Sequence, residues 1–370
     1  MDKKKSKIAY MQLIRSMAIL LVVLSHLNYY SKTSHLDFAG FKIGVDLFFI
    51  ISGFIIYYIT FNKKPGFESA KLFLKKRLIR VIPVYWIFTI ITALYFILRF
   101  KVINFTIPQI IGSLLFIPLG PQATQFHPYH PYLSVGWTLF FELAFYFSFA
   151  AFLFIKKEKR LWTASLYFLS TILIVNILGM NLNALHIGQN YLNLYFLFDG
   201  FRLEFLFGML ISHIYIKNIK ISKKYSLIIF ICSIVIFLSV LFYNEQTIRF
   251  LYDIIPINFS LHSNRIFVLG IPSALLILGL TLFFGQKRLK MPKWLIAPSN
   301  LAYSLYLSHV ITIRIFAEIF YNILDPVKFN APIISAIFFI AGITACLGVG
   351  YLSYRYVEKP VISYLREKLL

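Results

Sequence analysis

Acidic residues are scarce in this sequence: 14 aspartates and glutamates stand against 37 lysines and arginines in 370 residues. Charge of either sign is thin as well, at 14% of residues, where a soluble domain carries about a quarter. That shortage, beside 59% apolar and 18% aromatic residues, excludes an ordinary soluble globular domain. Cysteine is nearly absent. Cys232 and Cys346 fall in apolar runs with no CxxC and no ligand partner nearby, which speaks against a disulfide framework or a cysteine metal site. Both are read as core filling. No Ser/Gly linker, low-complexity tract or internal repeat interrupts the chain, so the repeat architecture common in secondary transporters is not indicated. No small-residue cleavage site follows the first apolar run, which argues against a removable signal peptide.

What is present is apolar sequence in lengths suited to lipid. About 20 helical residues cross the roughly 30 Å hydrocarbon layer. Ten runs qualify, near 8–30, 41–61, 81–99, 134–155, 161–180, 193–216, 225–243, 266–284, 294–320 and 331–354. The expected fold is therefore an all-α polytopic membrane protein with about ten transmembrane helices. The chain, 1–370, reads as one integral-membrane domain with no appended soluble domain. A net charge of +23 would suggest nucleic acid in a soluble protein. Its placement points instead to the bilayer, because 27 of the 37 bases collect in alternate connections if the N-terminus is cytoplasmic. Those connections are the N-terminus, 63–80, 156–160, 217–224, 287–293 and 355–368. The positive-inside rule then puts both termini in the cytoplasm and leaves nucleic acid without a role.

Two outer loops are long, 100–133 and 244–265. The first holds "FTIPQIIGSLLFIPLG", whose apolar stretch between prolines is too short to span and reads as a re-entrant or interfacial helix. His127 and His130 follow in the same loop. Both neighbour prolines and have no carboxylate or cysteine nearby, so they are read as shaping or covering a site, and no metal is expected.

Ionisable groups inside the spans are costly, at least ~2.5 to 3.5 kcal/mol at the centre, and so default to function. In "QLIRSMAILLVVLSHLNYY", Arg15 and His26 are 11 residues apart, a helical rise of about 16 Å with a net rotation near 20°. They face one stripe at two depths. "GVDLFFIISGF" places Asp46 at a depth similar to His26, so a His26–Asp46 pair is expected, serving either as general base and orienter or as a hydrogen bond between helices. "KKRLIRVIP" sets Arg77 and Arg80 on one face just before Pro83, where guanidinium forks suit phosphate or lipid headgroups.

Further along, "SVGWTLFFELAFY" carries Trp137 and Glu142, and "DGFRLEFLFG" carries Asp199, Arg202 and Glu204. Asp199 and Arg202, one turn apart, are expected to neutralise each other, and Glu204 requires a partner. In "NLAYSLYLSHV", Tyr306 and His309 share a face, as in a buried polar cluster. Arg355 and Glu358 in "YRYVEKP" read as a local ion pair.

Taken in order, these stretches resemble the acyltransferase 3 family of bacterial polytopic membrane enzymes that O-acylate cell-surface glycans. The resemblance rests on Arg15 with His26, "GVDLFFIISGF", Arg77 with Arg80 before Pro83, "SVGWTLFFELAFY", "FRLEFLFG", "AYSLYLSH" and "EKP". It implies a multi-pass protein of the bacterial cytoplasmic membrane with no bound cofactor. Acyl-CoA, acetyl-CoA first, would be the co-substrate, and a surface polysaccharide or lipid-linked glycan the acceptor. It also implies His26 as catalytic base with Asp46 as its orienter, and Arg15, Arg77 and Arg80 as donor binders. Trp137, Glu142, Arg202, Glu204, Tyr306 and His309 take supporting or acceptor-side places. The rival reading is a transporter or a flippase for a glycan or its lipid-linked precursor, because intramembrane Arg, His and carboxylates also mark substrate paths.

Overall fold

The computed structural model describes residues 8–31, 39–100, 107–117, 131–177, 185–187, 190–192, 200–254, 263–285, 290–324 and 331–370. Among them the chain is almost wholly helical, and each of the ten apolar runs contains a helix. The elements in order are α1 (Ala9–Tyr30), α2 (Ile43–Thr60, led by a 3-10 turn at Ala39–Lys42), α3 (Phe67–Phe100), α4 (Ile107–Leu115), α5 (Gly136–Phe152) and α6 (Lys157–Ile177). A two-stranded antiparallel hairpin follows, β1 (Leu185–Ile187) with β2 (Asn190–Leu192), in the register Leu185 to Leu192. Then come α7 (Phe201–Ile216), α8 (Lys223–Leu241), α9 (Glu245–Ile254) and the short α10 (Ser263–Arg265). A π turn at Ile266–Gly270 leads into α11 (Ile271–Phe284). The remaining elements are α12 (Lys293–Ile296), α13 (Pro298–Ile323), α14 (Ala331–Ser353), a π turn at Tyr354–Glu358 and α15 (Lys359–Leu369).

Among the described residues, six helical stretches are long and apolar enough to cross a bilayer: Ala9–Tyr30, Ala39–Thr60, Phe67–Arg99, Lys223–Leu241, Ile266–Phe284 and Pro332–Leu369. Helix α5 is apolar but only 17 residues long. Helices α6, α7 and α13 carry Arg160, Arg202 with Glu204, and His309 with Arg314, polar groups of the kind that dilute hydropathy. Large apolar side chains on α3, α6 and α8 point outward, among them Ile90, Leu94, Leu98, Leu166, Leu169, Ile231 and Val235. Only 22% of the most apolar window of α8 is buried inside the protein, a surface fit for lipid and not for water. The chain is a multi-pass membrane protein. The expected short helix in "FTIPQIIGSLLFIPLG" is α4, whose nine residues fall far short of a span.

The chain packs as two compact units interleaved in sequence. The first is Met1–Ile59, Phe207–Pro256 and Asn264–Gly350; the second is Thr60–Leu206, Ile257–Ser263 and Tyr351–Leu370. In the first unit, α1 lies along α13 and α8 along α11, around a core that includes Ile14, Ala18, Leu47, Ile50, Phe54, Leu269 and Ile277. Helix α2 closes on α1 at Gly44, where a side chain's Cβ would sit 2.5 Å from the Ala18 carbonyl oxygen. In the second unit, α3 packs against α5 and α15, and Phe145 stacks on Phe205 with ring centroids 4.0 Å apart.

Arg160 is fully buried in this second unit. It donates to the carbonyls of Phe152 (3.2 Å), Ile155 (3.2 Å), Thr60 (2.9 Å) and Lys63 (3.4 Å). One guanidinium thus gathers four carbonyls at the C-terminal ends of two helices, α2 and α5, of which those of Thr60 and Phe152 also accept from the backbone N–H groups of Lys63 and Ile155.

Candidate active site

In the first unit, His26 stands on the last turns of α1 and is partly buried. Its Nδ1 lies 2.9 Å from the carbonyl of Val22, one turn back, and 3.4 Å from Nε2 of His309 on α13. The two imidazoles meet edge to face, with centroids 4.7 Å apart. His309 is fully buried, and its Nδ1 lies 2.7 Å from the carbonyl of Tyr306 and 3.2 Å from that of Leu305. The Tyr306 ring packs against His309 on one side and Phe48 of α2 on another. Helix α14 closes this wall at Gly342, where a Cβ would come within 2.5 Å of Leu27, the neighbour of His26. Arg15 lies eleven positions earlier on the same helix, partly buried.

Asp46 is fully buried at the start of α2, but its partner differs from the expected one. Both carboxylate oxygens face Arg265: Nε donates at 3.1 Å and Nη2 at 2.7 Å, a bidentate fork. The same guanidinium donates to the carbonyl of Lys42 at 2.9 Å. The expected His26–Asp46 pair is therefore corrected: His26 turns to Val22 and His309, and Asp46 is held by Arg265. Counted as an outer-loop base, Arg265 escapes a reading by depth. Its signal in the sequence is its place immediately before an apolar run that lacks a counter-charge. The π turn that follows it is a feature frequent at functional sites.

Beside this pair, Lys42 donates to Glu245 at 2.7 Å and Arg249 reaches the other carboxylate oxygen at 3.4 Å. Burial alone would raise the Glu245 carboxyl, but Lys42 and Arg249 outweigh it and hold its pKa below the ordinary value.

In the second unit, Arg77 is buried on α3, its guanidinium 5.8 Å from the Phe73 ring centroid and 5.6 Å from that of Tyr146 on α5. The Tyr146 hydroxyl donates to Glu142 one turn away. Arg80, a turn further on, is only partly buried, and Pro83 sits within the continuous helix beyond it. Trp137 packs on Phe141 and Phe201 at the start of α5. Arg202 of α7 lies over the rings of Tyr167 (4.9 Å) and Phe168 (5.0 Å) of α6 and donates to the Ser148 hydroxyl at 3.4 Å. Glu204 is fully buried on the same helix. The expected Asp199 partner of Arg202, together with His127 and His130, lies outside the described residues. Arg355 bonds to the Tyr351 hydroxyl at 3.0 Å and not to Glu358; the π turn at Tyr354–Glu358 widens the helix and takes residues three apart out of register. Among the described residues, no group of three or more His, Cys, Asp or Glu side chains is placed to hold a metal ion.

A many-helix membrane protein with a histidine pair, a buried Asp–Arg fork and ring-held arginines inside its helices defines a class, the polytopic enzymes and carriers that work within the bilayer. The match of residues 8–355 to the family described as "Acyltransferase domain" narrows it, and the chain belongs to that family. It is 35% identical over 144 residues to the exopolysaccharide production protein ExoZ of Rhizobium meliloti, covering 38% of this chain and 43% of that protein. It is 27% identical over 156 residues to the peptidoglycan O-acetyltransferase OatA of Listeria monocytogenes, covering 41% of this chain and 21% of that protein. The matched segment thus spans less than half of either relative. No solved structure matches the chain.

Proposed function

We propose that this protein is a membrane O-acyltransferase. It moves an acyl group, acetyl foremost, from cytoplasmic acyl-CoA to a hydroxyl of a surface polysaccharide or glycolipid outside a bacterial cytoplasmic membrane. Family membership and the two relatives, one a peptidoglycan O-acetyltransferase and one an exopolysaccharide production protein by name, support the reaction class. Ten spans with both termini inside remain the topology that the charge distribution supports.

The observation that carries the mechanism is the Val22 contact of His26. A carbonyl oxygen only accepts, so a ring nitrogen 2.9 Å from it is the one bearing hydrogen. In the neutral ring the lone pair then sits on Nε2, the atom left for chemistry. The acceptor hydroxyl gives its proton to Nε2 and its oxygen bonds to the thioester carbonyl carbon. The C–S bond then breaks, and the CoA thiolate takes the proton back from His26. Arg77 and Arg80 engage the donor's phosphates and Arg15 its carbonyl or phosphates, roles that guanidinium forks suit. Trp137, Glu142, Arg202 and Glu204 support acceptor or donor handling.

The test is CoA release from acetyl-CoA by the purified protein in detergent, wild type beside His26→Ala, with and without a crude surface-glycan extract. Release that rises with the extract and falls to background in His26→Ala is the expected result. Near-normal release by a folded His26→Ala protein would sink the base assignment. No release from folded wild type would move the reading to transport.

A further inference from the structure

We propose that His309 is a positioning residue for His26, a neutral acceptor standing where other histidine bases have a carboxylate. The inference deepens the proposed function and rests on His26 being the base. Tyr306 and Leu305 offer only carbonyl oxygens to Nδ1 of His309, at 2.7 and 3.2 Å, so Nδ1 carries the hydrogen. The ring is fully buried, where an unpaired charge is costly, and the neutral ring keeps its lone pair on Nε2. That lone pair faces Nδ1 of His26 at 3.4 Å, the nitrogen to which its Val22 contact assigns the hydrogen.

The hydrogens therefore run one way. His26 Nδ1–H is shared between the Val22 carbonyl and His309 Nε2, and His309 Nδ1–H is spent on its own helix. The arrangement presents Nε2 of His26, and only that atom, as a proton acceptor. Asp46 is committed to Arg265 and does not serve as orienter. When Nε2 of His26 takes the substrate's proton, the ring becomes an imidazolium and its Nδ1–H bonds become charge-assisted, hence stronger. His309 thus stabilises a state reached during transfer more than the resting enzyme. Such a contact acts on kcat and leaves donor binding alone.

The experiment compares wild type with His309→Phe, His309→Met and His309→Gln in detergent. Folding is checked by gel filtration and thermal unfolding, and kcat and KM are read from acetyl-CoA hydrolysis or transfer. Gln places a carbonyl oxygen near the position of Nε2, whereas Phe and Met fill the space without a comparable acceptor. Phe and Met are expected to lower kcat roughly 10- to 100-fold, part of the ~100- to 10,000-fold that a whole general base supplies. KM for acetyl-CoA stays within about twofold in every variant, and Gln recovers most of the rate.

A folded Phe or Met variant with wild-type kcat overturns the proposal. So does a folded Gln variant no better than Met, which assigns His309 to packing alone. If Phe does not fold, Met against Gln decides. Absence of His26-dependent release from wild type is a different failure, because it removes the base before His309 enters.

Discussion

Asp46 and Arg265 meet across 219 positions of sequence, one side chain fully buried and the other 14% exposed. Removing either leaves a desolvated charge without its counterpart, which in buried pairs costs about 3 to 5 kcal/mol. Asp46→Ala and Arg265→Ala are each expected near the lower end of that range, read as a fall in the thermal unfolding midpoint in detergent. The double variant should lose clearly less than the sum. Additive losses would mean that the fork is not a unit. His26 and Arg15 are legible in the sequence because a charge in an apolar run has few innocent explanations. The partner of Asp46 is not, because depth along a helix says which residues share a level and nothing of which face each turns to the other. Packing supplies the partners that depth does not: His309 for His26 and Arg265 for Asp46.

At the scale of helices, Arg160 has the firmest consequence. It reads in sequence as one more base of an inner connection, indistinguishable from Lys156, Lys157 and Lys159. The structure buries it and sets its fork on carbonyls at and just beyond the ends of α2 and α5. Arg160→Met is expected to destabilise the protein by at least ~3 kcal/mol, since hydrogen bonds to charged groups contribute about 1.5 to 3 kcal/mol each. Arg160→Lys should recover little, because an ammonium lacks the planar fork that reaches several carbonyls at once. A Lys variant with a wild-type melting midpoint would show that charge, not geometry, is what the site requires. Helix α4 lies at the other extreme of legibility. Pro108 stands in its first turn and Pro118 follows it in sequence, and its length alone separates it from a span. The π turns before α11 and after α14 leave no mark in hydrophobic spacing, which is why the Arg355–Glu358 pair fails.

For the whole molecule, composition and the apolar helices point to the bilayer, and the proposed orientation rests on the distribution of bases. That orientation is testable on one span of the first unit. In a variant with Cys232→Ser and Cys346→Ala, Lys220→Cys precedes α8 and Gln246→Cys follows it, both at exposed positions. A membrane-impermeant maleimide should label Gln246→Cys in intact cells and Lys220→Cys only after permeabilisation; the reverse pattern would invert the topology. The proposed centre has one more property, which concerns time. His309 is 283 positions beyond His26, and Arg265 is 219 beyond Asp46. During synthesis, α1 and α2 enter the membrane long before either partner has left the ribosome. The base then lacks its acceptor and the carboxylate its fork. Under the proposed function, a half-made chain carries every early motif without its partners, so thioester cleavage reaches full rate only when insertion is nearly finished.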